Sequence, residues 1–444
     1  MPTVNRAEGQ QEISTTMKTI SKLAMALALT TGAAGVALTP PAFAQKKKDE
    51  KPGPKMSPEA LKAAQAAQTA LAAKDVATAE PAIVQLETIG KSDDEKYFAA
   101  AMRYNLEQIK IQNARTANPN APVDETVLAR PIEALMASPN TPPAEKGKLA
   151  YQRGLLAYNS KQFPVAVQFF EQAKQFGYSD PNLVIQTAQA KVGGGDVAGG
   201  LNDLQTAVQQ MNASGQKAPE DIYRYGIARA NQAKLPTTMT WLQSYVSAYP
   251  TPKNWRDVVV TYGLSSNSIA KLDDSQKIDL FRLLRANKAL ADQNDYLEYA
   301  DDVQRRGLPA EALAVIKEGQ AAGKIPASNT LAKTMVTEAT RQVAAEGSLA
   351  PLKTKANAAA TGKLAAGTAD AYLGQENYTE AAALYRVALQ KGGVDADEVN
   401  THLGIALAKS GDKVGAKAAF DAVKGAPRAG IAGLWNAYLA TPTA

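Results

Sequence analysis

The chain has no cysteine, and among its 444 residues there is one histidine, His402. Without thiols it can build no disulfide, no thiolate nucleophile and no cysteine-based metal site. Serine-type hydrolysis is left with a single candidate base. That base lies directly before Leu403-Gly404 in a helical pattern, where a surface or half-buried helix position is expected. Aromatic residues are scarce, at 6%. The apolar run Leu23 to Leu38 spans sixteen residues with Gly32 and Gly35 inside it, short of the roughly 20 needed to cross a bilayer. What is plentiful is alanine, in a chain 45% hydrophobic and 21% charged. Alanine loses no side-chain entropy in a helix, so the composition favours a folded, all-α chain.

The net charge of +6 is concentrated near the N-terminus: residues 1–44 carry +1, residues 45–55 carry +3, and the long remainder only +2. A nearly neutral body lacks the dense basic patch that nucleic acid requires, so no nucleic-acid partner is expected. From Met17 the chain reads as a secretory signal peptide over 17–44. Lys18 and Lys22 start it, the apolar run follows, and Pro40-Pro41 precede the small-x-small box Ala42-Phe43-Ala44. Cleavage is expected between Ala44 and Gln45, with residues 1–16 lying upstream of the true start. Residues 45–56, rich in lysine and carrying Pro-Gly-Pro, read as a disordered basic linker.

Residues 57–440 show a repeated beat of small residues. Gly154 and Ala166, Ala369 and Ala381, and Gly404 and Ala416 are each 12 apart, and Ala381 and Ala416 are 35 apart. Phe170, Tyr385 and Phe420 follow within each second segment. Ala381, Leu384, Tyr385, Ala388 and Leu389 form one apolar helical stripe. Paired helices approach closely only where both present glycine or alanine, which accounts for glycine inside a helix despite its cost of about 0.5–1 kcal/mol. Weaker copies run through Ala67, Ala79, Ile83 and Leu86; Ala188, Gly200, Leu204 and Ala207; Gly226, Thr238, Leu242 and Tyr245; and Ala300, Gly307, Ala312 and Ile316. Ser57-Pro58, Ser92 with Glu95, and Asp180-Pro181 mark helix starts. Residues 105–142, 250–293 and 325–365 depart from the pattern. Eight to eleven helix pairs fit the repeat region, with Ala429 to Leu439 as a terminal capping helix.

These windows resemble the tetratricopeptide repeat family. The resemblance implies an α-solenoid of stacked antiparallel helix pairs that binds a protein or peptide on the first helix of each repeat. Carried over by register, the contact positions are Lys148, Tyr151, Tyr158 and Asn159, then Tyr223, Ile227 and Asn231, then Asp301 and Arg305. A tyrosine stands where the second lysine of the family's carboxylate clamp falls, which disfavours that mode of binding.

Elements of chemistry are sparse. Gly193-Gly194-Gly195 has no following Gly-Lys-Ser/Thr and reads as a turn. Asp93-Asp94-Glu95, Asp273-Asp274 and Asp301-Asp302 are neighbours on helices and point apart. No cofactor, metal or catalysis is expected. The functional expectation is an exported bacterial scaffold or adaptor, periplasmic or secreted. The alternatives are a structural component of an envelope or polysaccharide assembly, its Lys46–Lys55 tail touching membrane or anionic glycan, and, less favoured, an enzyme resembling a lytic transglycosylase.

Overall fold

The computed structural model describes residues 54–441; the expected signal peptide and nearly all of the basic linker lie outside them. Among the described residues there is no strand. The chain divides into two compact units, Met1–Gln216 and Lys217–Ala444.

The first unit contains α1 (Pro58–Ala72), α2 (Val76–Ile89), α3 (Asp93–Ala117), α4 (Ala129–Ala137), α5 (Pro143–Asn159), α6 (Phe163–Gln175), α7 (Pro181–Gly193) and α8 (Val197–Ala213). The second contains α9 (Glu220–Gln232), α10 (Thr238–Ala248), α11 (Pro252–Val259), α12 (Asp274–Ala286), α13 (Gln293–Arg305) and α14 (Pro309–Ala321). It continues with α15 (Thr330–Glu346), α16 (Ala350–Ala358), α17 (Lys363–Gly374), α18 (Tyr378–Lys391), α19 (Ala396–Ser410), α20 (Lys413–Ala422) and α21 (Arg428–Ala440). This is a helical-repeat solenoid of consecutively packed helix pairs.

The expected helix starts are present. Ser57 accepts from the Ala60 amide, Asp180 accepts from the Asn182 amide, and Ser92 with Glu95 closes a reciprocal capping box. Each satisfies amides that a helix start leaves without partners. Glu95 also receives the amides of Ser57 and Lys91, and these backbone donors hold its carboxyl at about 2.

Seven hairpins share one turn: α1–α2, α5–α6, α7–α8, α9–α10, α13–α14, α17–α18 and α19–α20. In each a residue adopts positive φ between the helices: Lys74, Lys161, Gly195, Lys234, Gly307, Glu376 and Gly411. The next residue but a few is the small one that opens the second helix, at Ala79, Ala166, Gly200, Thr238, Ala312, Ala381 and Ala416. In four hairpins a side chain just past the turn caps that helix: Asp75, Asp196, Asn377 and Asp412.

The packing of each hairpin follows a size rule. Where the first helix carries glycine, the second carries an aromatic ring against it: Phe170 on Gly154, Trp241 on Gly226 and Phe420 on Gly404. Where the first helix carries alanine, the residue in register is aliphatic: Ile83 after Ala67, Leu204 after Ala188 and Ile316 after Ala300, all fully buried. A Cβ on Gly226 would stand 2.5 Å from the Trp241 ring, so the missing methyl is the room the ring occupies. Tyr385, after Ala369, is the exception, and its hydroxyl donates to Asp370 at 2.6 Å. Burying a side chain of this size stabilises the fold by about 1.5–3 kcal/mol. Trp241 follows Gly226 by 15 residues, against 16 for the other two glycine–ring pairs.

The irregular stretches fall where the repeat pattern fades. In the first unit α3 runs 25 residues, and a loop and a 3-10 turn at Thr126–Leu128 precede α4. In the second unit α11 passes through a π turn at Val260–Leu264 into the loop before α12. Every residue of α12 from Ile278 to Leu284 is at least nine-tenths buried. A helix covered on all sides lies inside its unit rather than on it. The C-terminal helix α21 forms as expected, yet it does more than cover the last repeat. Besides α19 and α20 it packs on α10 and α12, with Trp435 fully buried, and Tyr262 after α11 donates to the Pro427 carbonyl at 2.6 Å.

Candidate functional site

Two places carry the candidate chemistry, one in each unit. In the first unit, Lys148, Tyr151, Tyr158 and Asn159 all lie on α5. Lys148 pairs with Glu145 at 3.2 Å. Tyr151 is 6% exposed, stacked on Tyr178 with ring centres 4.7 Å apart and tilted against Phe170. Expected as an outward anchor, it is instead core, because residues after α6 fold back over its ring. Tyr158 is half-buried, edge-on to Phe163 at 5.7 Å, and Asn159 at the end of α5 is exposed.

In the second unit Tyr223 is likewise core and not an anchor, 0% exposed among Trp241, Tyr245 and Tyr249. Ile227 is half-buried and Asn231 exposed on the same helix. Asp301 and Arg305 are exposed on α13 and pair with one another at 3.4 Å, while Arg305 also reaches Asp302. Of the expected contact positions, Lys148, Tyr158, Asn159, Ile227, Asn231, Asp301 and Arg305 retain accessible surface.

The feature that sequence reasoning missed is a cluster of buried charges around α12. Asp279 and Arg282 stand one turn apart on that helix and pair at 3.1 Å. Arg282 donates two bonds to Glu311 of α14, at 2.9 and 2.7 Å, and Tyr299 of α13 donates to the same carboxylate at 2.5 Å. Asp279 accepts from Arg428 of α21 at 2.8 Å, and its backbone carbonyl accepts from the Trp435 indole at 3.3 Å. Arg428 also reaches Glu398 of α19 and Ser275 of α12, at 2.9 and 3.0 Å. One turn further along α12, Arg285 pairs with Glu318 and Glu376.

His402 sits inside this cluster. Its Nδ1 is 2.8 Å from Asp370 and its Nε2 is 3.2 Å from Asp279, the latter at ion-pair distance but off the hydrogen-bond line. The expectation of a surface or half-buried histidine is therefore corrected: His402 is 5% exposed. Its position two residues before Gly404 points it at α12, and two carboxylates compensate its burial. Burial alone would lower its pKa, but Asp279 and Asp370 override that and push it up to about 10, so the ring is a cation at neutral pH. Burial alone would raise the Asp279 carboxyl, yet His402, Arg282 and Arg428 hold it well below the usual carboxylate range. Burial raises the Tyr299 and Tyr385 hydroxyls, and the neighbouring Glu311 and Asp370 raise them further. Each charge is thus matched inside a space with little solvent. Removing one partner leaves another charge buried and unpaired, which makes the cluster a tie between helices distant in sequence.

Among the described residues no group of three or more histidine, aspartate or glutamate side chains is placed to hold a metal ion, and no helix is long and apolar enough to cross a membrane.

No protein-family profile matches the chain, and no curated protein matches it. Among solved structures it is similar to the pentatricopeptide repeat protein PPR10 from maize, at 11% identity and a TM-score of 0.24. The likeness covers 84% of this chain, which spans 59% of the length of that one.

Proposed function

We propose that this protein is an exported, non-catalytic scaffold of the tetratricopeptide kind, which holds a protein or peptide partner on the first helices of its repeats. The observation that carries the reading is the hairpin itself. Seven times the chain repeats one turn and one small-against-large contact, an arrangement that builds surface and leaves function to the side chains displayed on it. The buried charges of the second unit answer one another and support this reading as ties, not as acid and base.

Within this reading the first unit holds the partner. In the second unit the first helices α13 and α19 direct Tyr299 and His402 to the neighbourhood of α12, and the chain's own helix takes the place of a guest. In the first unit, α5 keeps Lys148, Tyr158 and Asn159 at accessible positions. Half-buried tyrosine beside exposed polar groups suits peptide recognition. A photo-crosslinking amino acid at Asn159 in living cells is expected to give a discrete protein adduct, lost on Tyr158→Ala; a crosslink pattern identical to that from exposed Val414 refutes the assignment. Export is tested separately: fractionation is expected to recover a mature form beginning at Gln45 outside the cytoplasm, and a full-length cytoplasmic chain refutes it.

A further inference from the structure

We propose that the splayed helices α15 and α16, with the start of α17, form a docking surface of the second unit for an acidic amphipathic helix. Four observations converge on this segment. First, the other consecutive helices of the second unit pack on one another, but α15 packs on α14 and α13 whereas α16 packs on α17 and α18, and α14 reaches across to α17. Second, α15 is the least anchored of the long helices: of its 17 residues only Ala332, Met335 and Ala339 are buried. Third, Leu331, Leu352 and Leu364 stand 56%, 39% and 40% exposed, so large apolar side chains face solvent at the start of three successive helices. Fourth, residues 322–363 hold six cations against Glu338 and Glu346, a net charge of +4, in a body that is otherwise near neutral.

Charge selects the occupant. Glu338 is taken by Arg341 and Lys353 by Glu380. Lys333, Lys355 and Lys363 are exposed and form no ion pair with the described residues. The start of α15 lies at the same end of the unit as the start of α13, where Asn329 donates to Gln293 at 3.3 Å. The start of α17 reaches that end too: after α15 the chain turns back along α18, with Lys353 of α16 on Glu380 at the start of α18 and the carbonyls of Ala356, Asn357 and Ala359 on Lys391 at its end. Leu331 with Lys333, and Leu364 with Lys363, therefore flank the gap that the splay leaves. A helix with leucines on one face and carboxylates at its margins matches apolar to apolar and anion to cation; a basic helix would be repelled.

This surface rests on the scaffold reading but is tested apart from it. The full chain is titrated with an amphipathic peptide of about five turns bearing leucine on one face and glutamate on the other. A sequence-matched peptide with lysine for glutamate, and phosphatidylglycerol and phosphatidylcholine vesicles, are run beside it. The glutamate peptide is expected to bind at least about tenfold more tightly than the lysine peptide, and to weaken by about tenfold with Lys333→Glu/Lys363→Glu or Leu331→Ser/Leu364→Ser. All four side chains are exposed, so the variants are expected to melt with the parent, and Val414→Ser serves as an exposed apolar control that leaves affinity unchanged. Equal affinity for both peptides, affinity indifferent to the variants, or uptake of anionic vesicles with no peptide bound overturns the proposal. If the Asn159 crosslink is present and the peptide fails, this surface falls and the scaffold reading stands.

Discussion

The two units solve the same packing problem with different chemistry. The first is held by shape: Gly154 admits Phe170, Ala188 faces Leu204, and each contact joins helices that are neighbours in the chain. The second uses the same contacts in its hairpins, then adds a helix covered on every side and ties it with Asp279, Arg282 and Arg285 to α14, α19, α21 and the α17–α18 turn. A repeat array tolerates local change because each element answers only to its neighbours. A charge cluster drawn from distant helices answers as a whole.

The sharpest way to break this contrast is Asp279→Ala, which removes the one buried carboxylate that His402, Arg282 and Arg428 share. A loss of about 3–5 kcal/mol is expected, seen by hydrogen exchange as lost protection in α12, α19 and α21 together and none in α1 to α8. Exchange confined to α12 would show that the cluster is not shared.

In the first unit the size rule gives the matching experiment. Gly154→Ala pushes a methyl into the Phe170 ring and is expected to cost about 1–3 kcal/mol. Adding Phe170→Ile recreates the alanine–isoleucine pair already used at Ala67 and Ile83, and at Ala300 and Ile316. The pair of changes is expected to cost less than the two single changes added, a coupling of about 1 kcal/mol read from a double-mutant cycle in denaturant melts. Strict additivity would refute the rule.

The third expectation concerns pH. His402 is raised to about 10 in the folded protein, above its ordinary 6.5. Its contribution is therefore fully present below pH 6.5 and is lost as pH rises through the folded value. The stability of the second unit is expected to fall between those limits by up to about 1.4 kcal/mol per pH unit. His402→Asn flattens that slope, and the first unit, which has no histidine, shows none of it. Denaturant melts monitored by exchange across this range check the sign.

The smallest effect is at the turns. Lys161 holds φ at +59°, where glycine is at ease and a side chain is not. Lys161→Gly is expected to stabilise the first unit by about 0.5–1 kcal/mol. Destabilisation would mean that the lysine side chain makes a contact that outweighs the backbone strain.

Much of this was legible in the residues, and the failures have identifiable causes. Small residues 12 apart placed the hairpins because helix approach is a backbone property that one residue decides. Trp241 escapes the pattern because it follows Gly226 by 15 residues where the other rings follow their glycines by 16, so the 16-residue register falls on Leu242. Tyr151 and Tyr223 were misjudged because an amphipathic ring suits a core as well as a groove. His402 and α12 were missed because a charged residue that will be buried against its opposite looks, in one sequence, like any solvated residue. A signal was there: from Ile278 onward, Ile278, Leu280, Phe281, Leu283 and Leu284 leave α12 no polar face except the single row Asp279, Arg282 and Arg285.

Burial of α12 also orders events in time. Arg428 lies 149 residues beyond the aspartate that it neutralises, so a ribosome releases α12 long before its last counter-charge exists. The hairpins of the first unit can settle one after another as they emerge, each needing only what has already been made. The second unit must wait with an acid and a base unsheltered until its final helix arrives, and only then does it close in a single step. A stop just before Arg428, which removes the thirteen residues of α21, would leave a chain whose first half is finished and whose second half lacks the cation that answers Asp279.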